Sequence, residues 1–170
     1  MSKLPSLSRT TLLHLRAAEG WAELDSPAEA LLELEAIAEV ERGELPVLEM
    51  FWRVYVGWEK WRPAYDVAAQ LVEHYPEEPA GWIDRAYALR RMKGGGLLAA
   101  FAALLPALKL FPTEPVIPYN LACYCAQLDK LDEALKWLAA AYAVGDRAIL
   151  LKMARNDPDL ESLKARGYLK

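Results

Sequence analysis

Apolar residues recur along this chain at three- and four-residue intervals, and the recurrence itself repeats. Aligned on Ala30, Ala64, Ala100 and Ala134, at spacings of 34, 36 and 34, four segments coincide: Thr11–Glu44, Leu45–Glu78, Pro79–Glu114 and Pro115–Ala148. Four residues on lie Leu34, Ala68, Leu104 and Leu138; three further lie Ile37, Leu71, Ala107 and Ala141. This i, i+4, i+7 pattern puts all twelve on one face of a helix in each segment. The first halves align as well, with Ala18, Trp52, Ala86 and Ala122 in one column. Prolines punctuate the ends, Pro46, Pro79, Pro115 and Pro118 near first-half starts and Pro76 and Pro112 after second halves. A residue without an N–H is tolerated in a first helical turn or outside a helix.

The pattern predicts eight paired helices over 9–22, 27–42, 46–58, 62–75, 80–93, 97–111, 116–128 and 131–144. Ser26-Pro27-Ala28-Glu29 reads as a capping box with Pro at the first helical position. No window sustains period-two alternation, so the expected class is all-α. Arg147–Asn156 can form a further helix, and Asp157-Pro158 opens another with Asp157 as N-cap. A terminal repeat needs such a cap, because an open hairpin leaves its apolar side uncovered.

Tyr119-Asn120-Leu121-Ala122-Cys123-Tyr124, followed by Leu131-Asp132-Glu133-Ala134-Leu135 and Trp137-Leu138, resembles a tetratricopeptide repeat of the bacterial type. Pro79-Ala80-Gly81-Trp82 through Pro112 is similar to another, lengthened at Gly94-Gly95-Gly96. The resemblance extends less closely over the first two segments. It implies an α-solenoid of four hairpins in a single domain over 1–170, with 149–170 as a C-terminal cap. Three positions depart from the family pattern. Trp52 stands where a small residue is usual, and should push its hairpin apart or point outward. Arg85 replaces a usual Leu and must reach solvent or find a carboxylate. Pro106 lies inside the sixth helix, which it should kink.

In this family the first helices line a concave groove. Carried over by position, the resemblance implies a groove of Glu49, Met50 and Arg53, then Asp84, Tyr87, Arg90 and Arg91, then Tyr119, Asn120, Cys123 and Gln127. Such a mixture of apolar anchors, charges and amides suits a peptide or protein segment. Arg53, Arg90 and Arg91 fit an acidic one, since the guanidinium fork pairs bidentately with carboxylates. The ordinary alternative for Arg90 and Arg91 is solvated charge at a helix C-terminus. Asn120 matches one position of the family's terminal-carboxylate clamp, but the clamp's lysines are absent, and that clamp is not expected. Trp52 and Trp58 belong to the densest aromatic cluster and fall outside the aromatic columns, which marks them as candidate interface residues. Self-association through them, as a homodimer or scaffold, is the alternative function.

Composition narrows the field further. The chain of 170 residues is 54% hydrophobic and 26% charged, with formal net charge −4. A mildly acidic chain has no global attraction to nucleic acid or anionic lipid, so neither is an expected partner. No apolar run approaches the ~20 residues needed to span a bilayer. The N-terminus lacks the apolar core and cleavage site of a signal peptide, so a cytoplasmic location is expected. His14 and His74 lie on different hairpins, and no metalloprotease, Cys-x-x-Cys or nucleophile-elbow pattern occurs. Cys123 and Cys125 are two apart on a helix and cannot bridge each other there. The glycine triplet lacks a preceding strand and a trailing Lys-Ser/Thr, and reads as a turn. The sequence thus points to no enzyme, no cofactor and no metal.

Overall fold

The computed structural model describes residues 7–169. The fold is all-α, an α-solenoid of tetratricopeptide-like hairpins. Among the described residues no strand forms. The helices are α1 (Arg9–Glu23), α2 (Pro27–Glu35), α3 (Leu45–Gly57), α4 (Trp61–His74), α5 (Pro79–Leu89), α6 (Leu97–Leu104), α7 (Ala107–Leu110), α8 (Val116–Gln127), α9 (Leu131–Val144), α10 (Arg147–Asn156) and α11 (Glu161–Ala165). All twelve column residues are at most 2% exposed, as is Ala18 with Ala86 and Ala122. The repeat is therefore a packing pattern: small and branched residues recur where helices meet.

The turns within the hairpins share one backbone device. Asp25, Glu59 and Asp129 adopt positive φ in three of them, and Gly94 and Gly96 do so in the third hairpin. Beyond Asp25, Glu59 and Asp129 the Ser26, Lys60 and Lys130 amides donate to the carbonyls of Trp21, Tyr55 and Cys125, at 2.9, 2.8 and 2.9 Å. This is the Schellman arrangement that satisfies orphaned helix-end carbonyls. The third hairpin wraps further, with the Gly96 amide reaching the Leu89 carbonyl at 3.0 Å. A Cβ on Gly95 would fall 1.8 Å from that carbonyl oxygen, so no side chain fits there.

The first compact unit runs to Asp84. Its core joins Ala18, Ala30, Leu34, Ile37, Val47, Met50 and Val54, and a second cluster joins Leu48, Val67 and Leu71. Trp52 neither splays its hairpin nor leaves it, but packs half-buried against the second cluster. α2 ends at Glu35 rather than at 42. The chain turns there to seat Ile37 in the core, and a 3-10 turn, Glu39–Glu41, follows. Arg42 Nε donates to the freed Ile37 carbonyl at 2.8 Å. Pro27 begins α2 as expected, but the Ser26 hydroxyl does not cap it. The capping is done at α1 instead. The Ser8 hydroxyl accepts from the Thr11 amide, and Glu41 accepts from the Ser8 amide and from both hydroxyls. These bonds hold the Glu41 carboxyl below its ordinary range, the Thr11 hydroxyl first among them. The start of α5 lies close on α4, since a Cβ on Gly81 would come within 2.9 Å of Leu71 Cβ.

The second unit runs from Arg85. α8 is its axis, packed on α6, α7, α9, α11 and the 3-10 turn Pro158–Leu160. Pro106 ends α6, and α7 resumes at Ala107, so the expected kink is a break. Arg85 donates to the Ala103 carbonyl in the last turn of α6 at 3.4 Å. α5 stops at Leu89, short of 93, where the glycine turn takes over. The tail forms α10 and then, as expected, a turn capped by Asp157, whose carboxylate accepts from the Asp159 amide at 2.9 Å. Leu150, Ala154, Leu160, Leu163 and Leu169 bury the tail against its unit.

Candidate interaction faces

In the first unit, α3 presents Glu49 and Arg53 exposed, one turn apart, while Met50 between them is buried. Arg53 Nη1 lies 3.2 Å from Glu19 Oε1, with both side chains about half exposed. Asp84 is half-buried. Burial, and then the charge of Glu49, pushes its carboxyl up to about 7. Glu49 is likewise raised, by burial and then by Glu78. This face is acidic, and its carboxylates repel one another. Trp58 is 37% exposed, with Lys60 Nζ 4.9 Å from its ring centroid.

The second unit treats its face differently. Arg90 makes a two-pronged pair with Asp159, Nη1 to Oδ2 and Nη2 to Oδ1, the latter at 3.0 Å. Gln127 Nε2 donates to the same carboxylate at 2.6 Å. Tyr119 donates its hydroxyl proton to Asp157 Oδ2 at 2.9 Å, and the Cys123 thiol lies 3.6 Å from that oxygen. Four residues of the expected groove thus converge on two carboxylates from the chain's own tail. Tyr119 and Cys123 are buried beneath them, and Asn120 is half-buried. Arg91 lies instead over the Tyr87 ring, 3.6 Å from its centroid, and donates to the Tyr87 carbonyl.

The electrostatics follow from this convergence. Burial works against the charged Arg90, but Asp159's hydrogen bonds and charge outweigh it and hold the guanidinium above its ordinary value. Burial raises Cys123, and the charges of Asp157 and Asp159 raise it further, so it stays a thiol. Cys123, Asp157 and Asp159 do bring three donor atoms within 4.8 Å. The Arg90 guanidinium already places a positive charge against the Asp159 carboxylate of this cluster. The arrangement pairs two carboxylates with a guanidinium, an amide, a hydroxyl and a thiol.

Sequence reasoning singled out Arg90, Tyr119, Cys123 and Gln127 but not their partners. Asp157 was visible only as a cap, and Asp159 not at all. The available signal was chemical: two carboxylates in a tail that must cover the arginine-bearing face.

The sequence matches no protein-family model and no curated protein. Among solved structures, that titled "MamA MSR-1 C2", a tetratricopeptide-repeat protein, superposes with a TM-score of 0.65 over 81% of this chain and 78% of that one, at 19% identity. No described helix is long and apolar enough to cross a membrane. The likeness is one of fold: this chain is built as tetratricopeptide-like helical hairpins.

Proposed function

We propose that this protein is a non-catalytic interaction module that holds a peptide or protein segment on the faces of its first helices. One observation carries the reading. In the second unit that face already grips a stretch of polypeptide, through Arg90, Tyr119, Cys123 and Gln127. In the first unit the corresponding helix, α3, leaves Glu49 and Arg53 exposed over a buried core. Helical repeats use such faces for extended or helical ligands. The proposed faces comprise Glu49, Arg53 and Asp84 over the buried Met50 in the first unit, and Tyr87, Arg90, Arg91, Tyr119, Asn120, Cys123 and Gln127 in the second.

A photo-crosslinking residue placed at Glu49 or Arg53, in the cell that makes the protein, tests this. A discrete crosslinked partner, lost in the Arg53→Glu variant, is the expected result. Crosslinks obtained equally well from Ala139, on the exposed side of α9, would overturn it. Exposed Trp58 favours a second reading, self-association through the aromatic cluster. Sedimentation over a concentration series decides it: a strict monomer at high concentration removes this alternative.

A further inference from the structure

We propose that the turn Asp157-Pro158-Asp159-Leu160 is an internal ligand of the second unit, and that the external partner it excludes is an acidic segment of the same design. That design is two carboxylates two positions apart, the second followed by a leucine. The inference rests on the proposed binding role of this face and names its ligand chemistry.

Each element of the design has a receptor on the face. Asp159 takes the Arg90 fork and the Gln127 amide. Asp157 takes the Tyr119 hydroxyl and the Cys123 thiol. Leu160 is fully buried beside them. The Arg90 and Asp159 side chains are only 11% and 20% exposed, so this is a desolvated pair rather than a surface one. A guanidinium covered in this way requires a carboxylate in whatever covers it. The face therefore selects an acidic occupant, and a neutral or basic segment is disfavoured. Arg90 also lies 5.5 Å from the Tyr124 ring centroid, which fixes the fork's direction.

The tether decides which acidic occupant is present. α10 delivers the turn directly to the face, so the segment is present at an effective concentration of about millimolar or more. An external segment making the same contacts competes only if it adds contacts of its own, or if the tail is released.

The test uses the full chain and a fluorescein-labelled peptide copying residues 155–165, read by fluorescence anisotropy. Wild type should bind this peptide only weakly. The D157N/D159N double variant should bind it at least about tenfold more tightly, since the competing carboxylates are gone. Adding R90Q to that variant should remove the gain, and a peptide with both aspartates changed to asparagine should not bind. A folded double variant that binds no better than wild type overturns the proposal. Should the double variant fail to fold, amide exchange on wild type decides: residues 159–169 exchanging at least about a hundredfold faster than α8 means that the tail opens locally. Equal protection means that it leaves only on unfolding, and overturns the proposal. The crosslinking from Arg53 reports on the other unit, so the general binding role and this internal ligand fail separately.

Discussion

α3 and α8 are first helices of equivalent hairpins, yet one is half open and the other enclosed. α3 carries Glu49 and Arg53 out to solvent. α8 is buried along most of its length, from Ile117 to Ala126, with only Asn120 partly accessible. The hairpin scaffold beneath is the same, since Ala64 and Ala134 are equally buried. What differs is whether another segment lies on the face. A helix that is apolar nearly all round announces a cover, whereas one with charges on one side keeps a surface free for another partner.

The largest effect should come from breaking the covered face. Asp159→Asn leaves Arg90 enclosed without its carboxylate, and should cost about 2–4 kcal/mol in denaturant unfolding. Replacing Arg90 as well by a methionine should recover part of that, because the stranded charge is then gone. Next comes the acidity of the open face. Asp84 ionises near 7 when folded but lower when unfolded, so between about pH 4 and 7 the unfolded state binds fewer protons. Stability should therefore fall as pH rises through that window. Asp84→Asn should flatten the profile, and stabilise the protein at pH 8 by about 1–2 kcal/mol. If stability instead rises with pH there, the first unit's carboxylates are not crowded as described.

Two smaller effects sharpen the comparison. Glu59 and Asp129 hold the same left-handed turn in the open and the covered hairpin. Glycine at either should stabilise by about 0.5–1 kcal/mol, and equal gains would place the difference in the faces and not in the hairpins. Arg53→Gln, at the exposed pair with Glu19, should change stability by less than about 0.5 kcal/mol. A larger loss would mean that α3 too is braced by its face.

What was legible in the sequence was local. The alanine columns, the helix pairs and the cap at Asp157 follow from spacings of three to seven residues, which periodicity encodes directly. The second helix stops early because burying Ile37 outweighs continuing the helix, and a tertiary preference of that kind leaves no mark on the period. Ser26 stands at the N-cap of α2 but its hydroxyl makes no capping bond, while Glu41 serves α1 from a distant turn. The candidate site divides the same way. Arg90 and Gln127 were named only through the family resemblance, which carries candidate groove positions over by register. Their union with Asp159 joins residues 69 and 32 positions apart, and no spacing announces it.

That separation sets an order on biosynthesis. A ribosome adding about 5–20 residues per second needs roughly 3–14 seconds to travel from Arg90 to the aspartate that neutralises it. Over that interval the nascent second unit carries an arginine without its carboxylate, and α8, once made, waits for its cover. Synthesis of the segment beyond α10, rather than the folding of any hairpin, closes the second unit.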